Sequence, residues 1–214
     1  MALHANTTEA ERDHYAKGVE AGEQALGPEG FEEYAGRFWG FLETRPYMRA
    51  RAGLAAALLK LGEEDAAIGH WRAMLVLNPG DNQGIRYVLA GCLARRGDID
   101  GLKAVLAAYQ NEGSMHWLYT RALLAFREGG RKAVANALVR QAWSANEYVP
   151  AMLAGVIQPL ATDSGYITVG GPDEATEYVT EFGPAWHAVP DAIEWLTKIA
   201  ATCKPRSRPV QAFR

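Results

Sequence analysis

The sequence predicts an all-α fold built from stacked antiparallel helix pairs, with a helical cap at each end. Three observations predict it. Gly62, Gly97 and Gly130 each separate two amphipathic segments, and they stand 35 and 33 residues apart. Between Met48 and Asn146, apolar residues recur at the three- and four-residue spacing of a helix face. Nowhere in that interval does the period-two alternation of a strand appear.

Residues 1–47 are expected to form the N-terminal cap. A helical pattern runs from about Thr8 to Leu26 and is broken by Gly27-Pro28. A second helix is expected from Pro28 or Glu29 to Glu43, placing Phe31, Tyr34, Phe38, Phe41 and Leu42 at helical spacing. Thr44-Arg45-Pro46 is expected to end it, because proline pushes the preceding residue out of the helical region.

Residues 48–147 hold three repeats. In the first, Leu54, Ala55, Leu58 and Leu59 lead to Gly62, and a second helix starts in the acidic Glu63-Glu64-Asp65, which suits a positive helix N-terminus. Ala67, Ile68, Trp71, Met74 and Leu75 share its face, and Asn78-Pro79-Gly80-Asp81 stops it. The second repeat carries Ile85, Val88, Leu89, Cys92 and Leu93, a Gly97-Asp98 turn and cap, then Ile99, Leu102, Val105, Leu106 and Tyr109. The third carries Trp117, Leu118, Ala122, Leu123 and Phe126 before Gly129-Gly130, then Val134, Ala135, Leu138, Val139 and Ala142.

Residues 148–203 are expected to form the C-terminal cap. It comprises a short helix from Ala151 to about Leu160, a loop over 161–172, and helices over 173–187 and 191–201, with Pro184 placed to kink the first. Residues 204–214 form a basic, proline-containing tail. The whole is expected to be one compact domain.

In the first repeat, Leu54, Gly62, Ala67, Trp71 and Pro79 match the tetratricopeptide pattern, whose period is about 34 residues. The second repeat keeps Leu89 and Gly97 but has Leu102 where a small residue is expected. The third keeps Leu123, Phe126, Gly130, Ala135 and Ala142 but has Glu147 at the proline position. Longer runs carry a closer likeness: Phe38-Trp39-Gly40, the stretch Glu43 to Arg51, the stretch Asn78 to Tyr87, and the stretch Tyr119 to Arg127. On these the chain resembles the suppressor of tumorigenicity seven family from about Phe31 to Leu196. The resemblance implies a tetratricopeptide-like helical-repeat protein with no established enzymatic reaction. Animal members of that family are membrane-associated; this chain departs from them in having no apolar run near the ~20 residues that span a bilayer.

A net charge of −3 supplies no global basic field for nucleic acid or anionic lipid. The charge is uneven, since residues 1–35 carry eight acidic and two basic side chains. That raises the idea of an acidic N-terminal lid, Glu9 to Glu33, over a basic groove. The N-terminus turns acidic without an apolar core, so no secretory signal is read and a cytoplasmic location is expected. Cys92 and Cys203 fit no redox or metal spacing, and Cys92 is read as a core residue.

A repeat stack leaves a groove lined by the first helix of each pair. Arg45, Arg49, Asn82, Arg86, Tyr119 and Arg121 are the polar candidates to line it, and Tyr87 and Trp117 the exposed aromatic ones. Arg45/Arg49 and Asn82/Arg86 are each four apart and can share a helix face. Arginine can grip a carboxylate with two parallel hydrogen bonds, so the groove is expected to take a peptide or partner protein with an anionic group. The competing reading has these arginines pairing internally with Glu43, Asp81 or Glu112. No catalytic residue, metal site or cofactor is assigned: the five histidines share no ligand spacing, and Gly170-Gly171-Pro172-Asp173 lacks the lysine and preceding strand of a phosphate loop. The leading expectation is a non-enzymatic interaction scaffold, or adaptor. The alternatives are a small-molecule-binding or catalytic role at the 164–173 loop, which a close pocket joining it to His187 would favour, and a structural homo-oligomer.

Overall fold

The computed structural model describes residues 7–160 and 167–204, which are all-helical with no strand among them. Positions 161–166 of the expected loop and 205–214 of the expected tail lie outside the described residues. The helices are α1 (Thr8–Glu33), α2 (Arg45–Lys60), α3 (Glu64–Leu77), α4 (Ile85–Arg96), α5 (Ile99–Ala108), α6 (Met115–Gly129), α7 (Ala133–Ala145), α8 (Val149–Leu153), α9 (Pro172–His187) and α10 (Ala192–Ala200), with a 3-10 turn at Phe38–Gly40. The chain divides into two compact units, Met1–Cys92 and Leu93–Arg214, and the division falls inside α4. It coincides with neither residue 47/48 nor 147/148.

The three periodic glycines do what their spacing predicts locally. Gly62 and Gly97 take positive φ, +80° and +74°, where L side chains are strained. After α2, Glu63 N–H bonds Leu58 O at 2.9 Å and Gly62 N–H bonds Leu59 O at 3.0 Å. After α4, Asp98 N–H bonds Leu93 O and Gly97 N–H bonds Ala94 O in the same pattern. These paired bonds satisfy carbonyls that a helix end otherwise leaves open. Asp98 then caps α5 by accepting from Gly101 N–H at 2.9 Å.

In the first unit, α1 and α2 run antiparallel along a close seam. Residue numbers fall on α1 as they rise on α2: Glu11 meets Lys60, Tyr15 lies on Gly53, Gly18 on Ala50 and Gly22 on Tyr47. The acidic helix is therefore held along α2 by side-chain packing. α3 returns along α2, burying Ala67, Ile68, Trp71 and Met74.

Two expectations for the N-terminal region are corrected. Gly27, in a non-helical conformation at φ +59°, breaks α1 into two helical stretches at Gly27-Pro28 as expected, but the second stretch ends at Glu33 rather than Glu43. A turn with Gly36 at φ +77° follows, and the aromatic residues fold onto one another instead of lining a helix. Phe31 packs on Phe38 and Tyr47, each at 5.2 Å between centroids, and Tyr34 on Phe41 at 4.7 Å. Thr44-Arg45-Pro46 starts α2 instead of ending a helix, because proline's missing N–H costs nothing in a first turn.

In the second unit, α6 pairs with α7, and α9 and α10 close the core. Tyr178 stacks on Phe182 at 4.7 Å and lies 5.7 Å from Tyr119; Trp195 stacks on Phe126 at 4.5 Å. Trp195 Nε1–H donates to Asn136 Oδ1 at 2.7 Å, and Trp186 Nε1–H to the Tyr178 hydroxyl at 2.9 Å. α8 is shorter than expected and starts earlier, because Gly155 at φ +71° stops it. Pro184 lies inside α9 without splitting it.

Candidate functional site

Residues from the runs Phe38 to Gly40, Glu43 to Arg51 and Asn78 to Tyr87 gather in the first unit around Trp39. The 3-10 turn places the indole beside the start of α2. Arg45 and Arg49, one helical turn apart, both bring their guanidinium groups to this ring, at 5.6 and 5.7 Å from its centroid. Arg45 Nε–H also donates to Trp39 O at 2.9 Å. Thr44, fully buried, turns its hydroxyl back onto the carbonyls of Phe38 and Phe41, fixing the turn against the helix. No acidic residue stands in the first turn of α2. Among the described residues, neither Arg45 nor Arg49 is paired with a carboxylate.

Trp39 is tied from its other side to the loop between α3 and α4. Its backbone N–H donates to Asn78 Oδ1 at 3.3 Å, and Asn78 Nδ2–H donates to Asn82 Oδ1 at 3.3 Å. Asp81, at φ +43°, accepts from Ile85 N–H at 2.8 Å and Arg86 N–H at 2.9 Å, anchoring the start of α4. The Arg86 guanidinium closes on the same carboxylate at 2.9 Å and donates to the Tyr87 hydroxyl at 3.0 Å, lying 4.4 Å over that ring. Asp81 is almost wholly enclosed, so this charge is paired and hydrogen-bonded as burial requires.

Five of the eight residues expected to bind a partner thus join one network: Arg45 and Arg49 on Trp39, Asn82 through Asn78, and Arg86 with Tyr87 on Asp81. The internal pairing considered for Arg86 with Asp81 is present. Trp39 and Asn78 hold the network together, and sequence reasoning did not single them out as site residues. Their signal lay in the runs Phe38 to Gly40 and Asn78 to Asp81, the second of which reads only as a turn.

The remaining three candidates stand in the second unit. Trp117 and Tyr119 were expected to face a groove, and both are fully buried (0% exposed). Four consecutive residues of α6, Trp117 to Thr120, are buried, so this stretch of the helix is enclosed on more than one side. Tyr119 donates its hydroxyl to Asn146 O at 2.6 Å, and burial pushes its phenol pKa well above the ordinary value. Arg121 is half-exposed and donates to Gln110 O at 2.6 Å.

The second unit holds its own polar knot. Glu174, on the first turn of α9, accepts from Gly170 N–H at 2.8 Å and from Asn146 Nδ2–H at 3.1 Å; Asn146 also donates to Gly171 O at 2.8 Å. Thr168 N–H donates to Asp173 Oδ2 at 2.6 Å and Leu160 N–H to Thr176 Oγ1 at 3.0 Å. Both described feet of the 161–166 segment are therefore fastened to the N-terminal turns of α9. His187 lies at the far end of that helix, about 22 Å away at 1.5 Å per residue. Among the described residues of this loop, 167–173, none is paired with His187.

His116 packs edge-on against Tyr178 and Phe182, at 5.5 and 6.3 Å, and burial lowers its pKa to about 4, with Glu112 opposing weakly. Among the described residues, no cluster of His, Cys, Asp and Glu is placed to hold a metal ion, and no helix is long and apolar enough to cross a membrane. Comparison with protein-family models, curated proteins and solved structures finds no match to this chain.

Proposed function

We propose that the protein is a non-enzymatic interaction scaffold that captures a peptide or partner protein through an anionic group received at Arg45 and Arg49. One observation carries this reading: two guanidinium groups are held against a single indole, and no carboxylate among the described residues is paired with either. Stacking orients a guanidinium and lowers its freedom while leaving in-plane N–H donors for an acceptor. Asn82 stands exposed at the rim, and Arg86, Asp81 and Tyr87 set the loop that carries it.

The repeat period supports a tetratricopeptide-like superhelix as the scaffold, and the resemblance to the suppressor of tumorigenicity seven family, which has no established enzymatic reaction, supports a non-enzymatic role. The test is affinity capture from native cells, comparing the wild-type protein with Arg45→Glu/Arg49→Glu. A partner captured by the wild type and lost from the folded variant supports the reading. Equal capture by both removes the arginines from recognition.

Self-association is the second reading. Val156, Ile157, Leu160, Ile167 and Val169 are exposed apolar side chains around the fastened feet in the second unit. Light scattering over a concentration series checks it, and a constant monomer mass rejects it.

A further inference from the structure

We infer that the anion taken at Arg45 and Arg49 is a phosphate monoester carried on a peptide, an inference that rests on the reading above. The first argument is charge. Arg45 and Arg49 stand four apart on one face of α2, with Cβ atoms about 5–6 Å apart, and both Cζ atoms lie within 5.7 Å of one ring centroid. The two charges therefore act on a ligand together. A single carboxylate balances one of them; a phosphate monoester, at −1.5 to −2 near neutral pH, balances both.

Donor geometry points the same way. Arg45 has given its Nε–H to Trp39 O, so it offers only its terminal amino groups. Arg49, exposed on the same helix face, makes no hydrogen bond to another described residue and offers its whole fork. Three phosphoryl oxygens can receive both sets of donors where two carboxylate oxygens are filled by one fork. A third arginine, Arg37, lies 5.5 Å over Phe41, two residues beyond Trp39, and is likewise unpaired with any carboxylate among the described residues.

The surroundings restrict the source. Glu29, Glu32, Glu33 and Glu43 flank the turn, all exposed, and none is paired with these arginines. Four exposed carboxylates this near in sequence disfavour an extended anionic surface such as a phospholipid bilayer more than a single phosphate on a flexible chain. Leu42, exposed next to Phe41, offers apolar contact to the residues flanking that phosphate.

The experiment uses the full-length protein and one labelled peptide, acetyl-Gly-Ala-X-Ala-Gly-amide, with X as serine, glutamate or phosphoserine, followed by fluorescence anisotropy. Expected is binding of the phosphoserine form at least tenfold tighter than the glutamate form, and no measurable binding of the serine form. That preference should fade as pH falls through about 6, where the phosphate takes up its second proton. Arg49→Gln, which removes no hydrogen bond from the fold, should lower phosphopeptide affinity by about tenfold. Equal binding of the glutamate and phosphoserine forms overturns the phosphate assignment while leaving anion recognition standing. Binding to none of the three overturns this inference, and the cell-capture comparison separately decides the broader reading. Binding to phosphatidate vesicles without binding the phosphopeptide overturns the choice of a peptide.

Discussion

Gly22 lies so close to Tyr47 that a Cβ added to the glycine falls 2.9 Å from the Tyr47 ring and 3.3 Å from its Cα. Tyr47 is buried, its hydroxyl accepts from Arg51, and Phe31 abuts its ring edge-on, so it has little room to retreat. A glycine-to-alanine change inside a helix ordinarily stabilises by ~0.5–1 kcal/mol. Gly22→Ala should instead destabilise, by about 1–3 kcal/mol, because overpacking outweighs propensity. Gly69→Ala, in α3 with nothing within 4 Å of its added Cβ, should give the ordinary gain. Urea denaturation of both variants checks the opposite signs.

Asn146 and Glu174 form the buried contact that fastens the loop feet to α9. Glu174→Ala removes the carboxylate that accepts from Gly170 N–H and Asn146 Nδ2–H in a buried place, at a cost of about 1–3 kcal/mol. Glu174→Gln retains an oxygen acceptor and should lose less. Gly171→Ala should loosen the same place by crowding, since its added Cβ falls 2.7 Å from Thr168 O. Hydrogen exchange at Gly170, read by NMR, should quicken in Glu174→Ala and Gly171→Ala and stay slow in Glu174→Gln.

Asp81 anchors the start of α4 from a left-handed backbone conformation at φ +43°. Asparagine tolerates that conformation and keeps one acceptor for the caps, while alanine loses both caps; either variant removes the carboxylate from Arg86. Asp81→Ala should therefore cost more than Asp81→Asn, by about 1–2 kcal/mol. Thermal unfolding of the pair measures the difference.

His116 predicts a pH dependence. Its folded pKa, about 4, lies below its ordinary value of 6.5, so the unfolded chain takes up the proton first as pH falls. The neutral ring's contribution is fully present above about 6.5 and is lost progressively between 6.5 and 4. Full loss amounts to about 3 kcal/mol at ~1.4 kcal/mol per unit. Urea midpoints measured from pH 7.5 to 4.5 should fall less steeply for His116→Gln than for the wild type.

Much of the secondary structure was legible because it depends on local chemistry. Only glycine enters positive φ without strain, so Gly62 and Gly97 announced helix ends, and Asp98 announced a start. The aromatic stretch from Phe31 to Phe41 misled because helical spacing also fits a chain that doubles back on itself. Pro46 misled because the residue that forbids a helix before it permits one after it. The burial of Trp117 and Tyr119 follows from α6 being covered on several sides, while a single apolar stripe is what periodicity reports. Of the candidate site, the arginine pair was visible as two like residues four apart. Trp39 was not, since its role depends on a turn that brings residues 39, 45, 49 and 78 together, and Asn146 and Glu174 meet across 28 positions.

The glycine seam between the first two helices has a consequence for any shortened form of the protein. With the leading helix removed, Tyr47 and the bare strip around Ala50 and Gly53 lose their cover and meet water. Such a fragment should cling to unrelated proteins through raw hydrophobic surface, and should bind a fluorescent apolar dye. Increased pull-down by an N-terminal deletion would then report a damaged domain, and the intact chain is the form in which to look for partners.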